Sequence, residues 1–304
     1  MSLVTTKGML IDAQNKNYAV GAFNANNLEM AQGIVQVAEE EKAPVIVQIS
    51  QGGAEHAGVE EMAAVVKVLA RKAKVPVAIH LDHGLSYTYN ILALRAGFTS
   101  LMFDGSLLSF TENTAITRMI VTTAHIVGVP VEAELGEVPK NPDLITADEL
   151  KQYMTKPDEA KHFVEITKVD SLAVAVGSMH KMKMQSAKLD IERIKRIRET
   201  VDLPLVLHGA SGVTDESVEK AIKAGICKVN VHTHLAKYFT NAVREILNNN
   251  PDMVDLRKYL SAGRKALKEE VRKKIYLFGS NGKADGIEDV DVIYDKDMEQ
   301  EIVE

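Results

Sequence analysis

Eight short apolar runs recur along this chain, and each leads into a polar residue. They are Tyr18 to Asn24, Pro44 to Ser50, Val75 to Ile79, Thr99 to Asp104, Val129 to Leu135, Ser171 to Gly177, Leu203 to Leu207 and Cys227 to Val231. Runs this short, rich in β-branched residues, read as strands buried on both faces, the habit of parallel sheets. Segments with helical period separate them, among them Leu28 to Lys42, Glu60 to Lys74 with Val65, Val66 and Leu69 on one face, Tyr89 to Ala96, Thr111 to Val127 and two short pieces within Leu144 to Lys168. Asp190 to Glu199 and Asp215 to Lys223 continue the pattern. A helix over Ser2 to Asn15 precedes it, and helices near Leu235 to Leu247 and Arg257 to Leu277 follow it. No linker interrupts the alternation. Doubly wound sheets also alternate, but eight consecutive βα units over roughly 250 residues point to a (β/α)8 TIM barrel. With 304 residues, 46% of them hydrophobic, the chain suits one α/β domain over 1–284 with extra C-terminal helices, followed by an acidic tail over 285–304.

In such a barrel the chemistry sits where the strands end. The runs here lead into Asn24, Ser50, Asp82 with His83, Asp104, Glu134, His180, His208 and Asn230. The third is the most loaded, since His80, Asp82 and His83 follow its apolar part directly. Such groups are costly to bury unless something pairs with them or ligates them. His83, His180 and His208 close the third, sixth and seventh strands. Three imidazoles on one barrel mouth make a catalytic zinc set with an open fourth position. The plainer alternative is three separate core histidines, each hydrogen-bonded locally. Asp104 and Glu134 suit either a second cation position or carboxylates that orient the imidazoles. By the two-residue period Glu132 lies on the same side as Glu134. His125 and His162 fall on helices and read as packing or surface residues.

The loops after the seventh and eighth strands, His208 to Gly212 and Asn230 to Thr233, offer small residues, backbone N–H groups and hydroxyls. This is the usual phosphate corner of the barrel. A net charge of −6 and the lack of a basic stripe interleaved with aromatics exclude nucleic acid as the expected partner. One cysteine, Cys227, allows neither an intramolecular disulfide nor a thiolate zinc ribbon. Met1 to Asn17 lacks a signal-type apolar core, and no apolar stretch is long enough for a membrane span, so a cytoplasmic protein is expected.

These residues resemble a class II, metal-dependent fructose-bisphosphate aldolase. The likeness covers Tyr18 to about Ala284 and rests on ordered motifs: G-A-F-N (Gly21 to Asn24), H-L-D-H-G (His80 to Gly84), A-E-L-G (Ala133 to Gly136), A-V-G-S-M-H (Ala175 to His180), L-H-G-A-S-G (Leu207 to Gly212), K-V-N-V-H-T (Lys228 to Thr233) and L-F-G-S-N-G-K-A (Leu277 to Ala284). The resemblance implies cleavage of a ketose 1,6-bisphosphate to dihydroxyacetone phosphate and an aldehyde phosphate. It implies His83, His180 and His208 as ligands of a catalytic Zn2+, and Asp104 and Glu134 at a second divalent cation. It leaves room for a monovalent cation near the phosphate loops. Asp82 matches the family's proton-transfer aspartate. Asn24 and Ser50 match substrate-contacting positions, and Gly177, Gly209, Ala210, Ser211, Asn230, Val231, His232 and Thr233 match the phosphate-binding stretches. Arg264 resembles an arginine that reaches a substrate phosphate. A homodimer or homotetramer is the implied assembly.

Three positions depart from the family pattern. Lys181 stands where glycine is usual after the second zinc histidine, and it is expected to pair with a phosphate oxygen. The loop after A-E-L-G reads Glu137-Val138-Pro139-Lys140-Asn141-Pro142-Asp143, so its usual glutamate falls on proline. His234 replaces a frequent acid. These departures leave open the aldehyde half of the substrate and the group that moves the proton at C3 of dihydroxyacetone phosphate. Tagatose bisphosphate and deoxy or sulfo sugar phosphates stay in play. So do a Schiff-base aldolase using Lys228, which shares a face with Asn230, and a sugar-phosphate binding relative without catalysis.

Overall fold

The computed structural model describes residues 2–139, 146–179, 185–288 and 290–292. Among them, eight strands alternate with helices: β1 Val20–Asn24, β2 Val45–Ser50, β3 Val77–Asp82, β4 Leu101–Phe103, β5 Val131–Leu135, β6 Ser171–Val174, β7 Leu205–Leu207 and β8 Ile226–Val231. Every ladder is parallel, in the order β3-β2-β1-β8-β7-β6-β5-β4. The two end strands meet through the bridges His80↔Ser100 and Gly84↔Phe103, and the Leu81 N–H donates to the Ser100 carbonyl at 3.1 Å. The sheet thus comes round into the (β/α)8 barrel that the alternation implies.

The helices are α1 Thr6–Lys16, α2 Leu28–Glu40, α3 Gln51–Ala57, α4 Val59–Lys72, α5 Tyr87–Ala96, α6 Phe110–Ile126, α7 Ala147–Tyr153, α8 Pro157–Thr167, α9 Ile191–Thr200, α10 Asp215–Lys223, α11 Thr233–Asn249 and α12 Leu256–Phe278. Side-chain caps start several of them. The Asn27 side chain accepts the Met30 N–H at 2.9 Å, and Ser109 with Glu112 forms a capping box on α6. Each such cap contributes about 1 kcal/mol. Among the described residues no helix is long and apolar enough to cross a membrane.

The third strand runs through Asp82, as the placement of Asp82 and His83 at its end implies; His80 and Asp82 face the barrel interior and keep the ladder to β2, where Gln48 pairs with His80 and Ser50 with Asp82. Two expectations change. The sixth strand ends earlier, at Val174. Helix α3 was not anticipated. The expected site residues His180 and Lys181, the loop from Lys140 to Asp143 and the tail from Ile293 lie outside the described residues.

The barrel interior is layered. Its floor is apolar: Val20, Ala22, Ile46 and Ala78 point inward and pack on Met9, Leu10 and Ala13 of α1, with Ile287 alongside. One strand period higher come Gln48, His80, Glu132 and Lys228, all at most 2% exposed. The mouth layer holds Asn24, Asp82, Glu134, His208 and Asn230, at most 8% exposed. A barrel interior usually fills with Val, Ile and Leu. Here its upper two layers are polar, and every group there must find a partner.

Candidate active site

Asp82 and His83 close β3. A regular strand sends consecutive side chains to opposite faces. His83 breaks that rule with φ at 49°, in the left-handed region, at a cost of roughly 1–2 kcal/mol for an L-residue. The bend returns its imidazole to the mouth, and His83 Nε2 lies 3.8 Å from Asp82 Oδ1. At the next residue, Gly84, a Cβ would sit 2.6 Å from both the Met102 carbonyl oxygen and Asn90 Nδ2. The close passage of β3 against β4 therefore requires glycine.

Each of the two described histidines shows one nitrogen to a carboxylate and the other to a shared space. His83 Nδ1 is 2.7 Å from Asp104 Oδ2, and His208 Nε2 is 3.0 Å from Glu132 Oε1. The remaining nitrogens, His83 Nε2 and His208 Nδ1, face each other at 3.2 Å, with the rings edge to face. Asp82 is held by two amides: Asn24 Nδ2 donates to Oδ2 at 2.8 Å and Asn230 Nδ2 to Oδ1 at 3.2 Å. Gln48 Nε2 in turn donates to Asn24 Oδ1 at 2.7 Å.

Burial opposes charge on all these groups, and their neighbours decide the outcome. Burial works against ionisation of Asp82, but the imidazoles of His83 and His208 and the Asn24 amide outweigh it and lower its pKa to about 2. Burial also works against a charged His83, yet Asp82, Asp104 and Glu134 raise it to about 10. His80 falls to about 3 through burial and the Lys228 ammonium. Glu134 goes the other way: burial and the Asp104 charge raise it well above the usual carboxylate range.

A divalent cation fits this donor set. Glu134 Oε2 is buried, has no hydrogen-bond partner among the described residues, and lies 3.3 Å from His208 Nδ1. Ligand atoms of Asp82, His83 and His208 lie within 4.8 Å of one another, and so do those of His83, Asp104 and Glu134. Two nitrogens at the usual 2.0–2.1 Å from a tetrahedral zinc stand about 3.3 Å apart, close to the 3.2 Å seen between His83 and His208. Asp104 is spent on His83 Nδ1 and on the Ser106 hydroxyl and N–H, which favours its role as an orienting carboxylate.

The two small-residue loops come together. Gly209 has φ at 67°, Ala210 to Gly212 form a 3-10 turn, and the His234 N–H donates to Ser211 Oγ at 3.4 Å. Val231 ends β8 in the core, and Thr233 opens α11, exposed. His232 Nε2 lies 3.4 Å from Asn26 Nδ2. Buried Gly177 has φ at 106°. Ser50 Oγ accepts the Gly53 N–H and caps α3. Arg264 donates from Nη1 to Gln32 Oε1 on α2 at 2.6 Å. His125 pairs with Asp170 at 2.8 Å, as a packed histidine should.

Sequence reasoning left Glu132, His80 and Gln48 without a role. The two-residue period put Glu132 inside the barrel, but its partner Lys228 is 96 residues away. Lys228 Nζ donates to Glu132 Oε2 at 2.8 Å and is fully buried. A Schiff-base nucleophile needs a free neutral amine; this one is tied to a carboxylate below the mouth.

Comparison with known proteins bears on the whole chain. The family model for class II fructose-bisphosphate aldolase matches residues 4–283. A fructose-bisphosphate aldolase from Thermus caldophilus is 43% identical, covering 93% of this chain and 100% of the relative. A sulfofructosephosphate aldolase from Alkalicoccus urumqiensis is 39% identical, covering 93% of this chain and 99% of the relative. The crystal structure of the YdjI aldolase from Escherichia coli superimposes with a TM-score of 0.83 at 40% identity, over 93% of this chain and 100% of that one. With the ordered motifs, the barrel and the clustered mouth residues all in place, the chain belongs to the class II fructose-bisphosphate aldolase family, and it is an aldolase of ketose phosphates.

Proposed function

We propose that the protein cleaves a ketose 1,6-bisphosphate, fructose 1,6-bisphosphate foremost, to dihydroxyacetone phosphate and glyceraldehyde 3-phosphate, and runs the reverse condensation. The observation that carries this reading is the meeting of Asp82, His83 and His208 at one mouth, beside a buried Glu134 oxygen that makes no hydrogen bond among the described residues. His83 and His208 would hold a zinc ion, with His180 as third ligand by its place in the sequence. That ion supplies a Lewis acid next to the carbonyl, where charge develops as the carbon–carbon bond breaks.

The chain's own residues do the rest. Asp82, ionised and aimed by Asn24 and Asn230, takes the proton from the C4 hydroxyl in cleavage and returns it in condensation. The loops at Gly209 to Ser211 and Asn230 to Thr233, joined through His234 and Ser211, hold the ketone-side phosphate and fix the breaking bond over the mouth. Exclusion of water by the packed barrel strengthens these charge interactions.

A second substrate reading has its own support: the relative named for sulfofructosephosphate is nearly as similar, at 39% identity, as the one named for fructose bisphosphate. The deciding experiment is a panel of ketose phosphates, including fructose, tagatose and sulfofructose forms, assayed for dihydroxyacetone phosphate release before and after chelation and zinc return. Fructose 1,6-bisphosphate is expected to turn over fastest, chelation to stop it and zinc to restore it, with borohydride trapping nothing. Activity that survives chelation and is lost to borohydride would make this a Schiff-base enzyme. A homodimer or homotetramer belongs to the same reading. Its support is the set of large side chains exposed along α6 and the loop before it, Leu107, Leu108, Met119, Ile126 and Val127, and light scattering tests it.

A further inference from the structure

The geometry points to Glu132 and Lys228 as a positioning pair that presets which nitrogen His208 presents at the mouth. The inference rests on the metal reading above and concerns two buried residues one layer below the mouth. An imidazole can ligate through either nitrogen, and the hydrogen bond made by one selects the other. His208 Nε2 lies 3.0 Å from both Glu132 Oε1 and Asn230 Nδ2; a carboxylate paired with Lys228 is ionised and only accepts, so the ring N–H goes to Glu132, down into the barrel, and Nδ1 faces His83.

Glu132 does not hold that pose alone. Its second oxygen, Oε2, accepts from Lys228 Nζ at 2.8 Å, and the Ser171 hydroxyl reaches the same oxygen at 3.5 Å. Lys228 Nζ also lies 3.3 Å from His80 Nε2. An ammonium only donates, so His80 Nε2 accepts, and its Nδ1–H is directed at Ser100 Oγ, 2.8 Å away. Ser100 is tied to α1 through the Thr6 hydroxyl at 2.9 Å. The result is a continuous polar strut from the helix under the floor to the ligand at the mouth. Side chains from α1, β3, β5, β8 and the end of β7 all join it. The chain of contacts holds the imidazole at a fixed height and tilt before any ion arrives.

A bland alternative exists for a buried lysine–glutamate pair: it satisfies itself and does nothing for the site. Metal affinity separates the two. In Glu132→Leu with Lys228→Met, both charges go together and the volume is kept, a change that often leaves a fold as stable as before. Zinc competition against a chromogenic chelator, starting from the loaded protein, is expected to show affinity weaker by about 10- to 100-fold, the usual effect of losing a ligand's partner. The cobalt-substituted protein should show an altered visible spectrum. Affinity within about twofold of wild type, with an unchanged cobalt spectrum, overturns the inference while leaving the zinc reading standing. Wild-type protein that takes up no zinc overturns the zinc reading itself.

If the double variant does not fold, the wild-type protein decides. With 15N-labelled histidine, nitrogen chemical shifts before zinc is added should show His208 as the neutral Nε2–H tautomer. An Nδ1–H tautomer there overturns the strut as a presetting device.

Discussion

Asp82 and His83 are neighbours in the chain and face the same space, because the left-handed turn at His83 cancels the alternation of the strand. On the proposed reading, a single strand end thereby supplies one residue for proton transfer and the next for metal binding. Asp82→Ala removes the proton acceptor and leaves both described imidazoles in place. The expected result is a loss of roughly 10²–10⁴-fold in turnover, with zinc content by atomic absorption unchanged. A variant isolated without zinc would make Asp82 a ligand or a structural residue instead.

Gly84 carries the strain of that turn against β4. In Gly84→Ala the new methyl meets backbone oxygen and a buried amide at 2.6 Å, and backbone cannot give way as a flexible side chain can. Destabilisation of about 1–3 kcal/mol is expected, as for other overpacked sites. Thermal unfolding should report a midpoint lower by several degrees, and zinc affinity should fall with it as His83 is displaced. An unchanged midpoint would show that the β3–β4 seam has room to spare.

Metal uptake should expel protons. With His83 raised to about 10, the metal-free site holds that imidazole protonated at pH 7, whereas a ligand must be neutral. Zinc binding therefore releases at least one proton at pH 7. Affinity should rise with pH by about tenfold per unit until it levels near the His83 pKa. Calorimetry in two buffers of different ionisation heat measures the proton count directly, and a count of zero contradicts the electrostatics described here.

Cys227 is 2% exposed and donates to the Gly225 carbonyl at 3.2 Å, and burial pushes its thiol up to about 11. Two pKa units alone cut the thiolate fraction about a hundredfold at pH 8. A thiol reagent should label the native protein very slowly and the denatured protein at once. The folded thiol keeps its proton where the unfolded one loses it. Its contribution to stability is therefore complete below pH 9 and lost as pH rises through about 11, so Cys227→Ala should flatten the alkaline fall in stability. Rapid native labelling at pH 8 would place the thiol near solvent.

The barrel was legible because eight apolar runs and their helices keep strict alternation, and the mouth was legible because strand ends gather polar residues. What was not legible depended on contacts between distant residues or on local chemistry without a pattern. His80 was visible near the end of the third strand, yet its partner Lys228 lies 148 positions later in the chain. Helix α3, Q-G-G-A-E-H-A, has two glycines and no apolar stripe, and it exists where Ser50 caps it. Asn24 matched a substrate contact, but its amide nitrogen is given to Asp82 and its oxygen to Gln48. Glu132 was visible as an inward residue, yet nothing in the sequence announces that a lysine 96 positions later will meet it.

The apolar floor has a consequence for proton traffic. Met9 and Leu10 of α1, 0% and 2% exposed, close the barrel beneath the polar layers, so solvent has no route to Asp82 from below through these residues. On the proposed reading, protons that Asp82 exchanges with bulk water then pass through the same mouth that admits the substrate. A molecule seated there acts as a stopper, and a proton picked up from it stays with the reacting pair until the mouth clears.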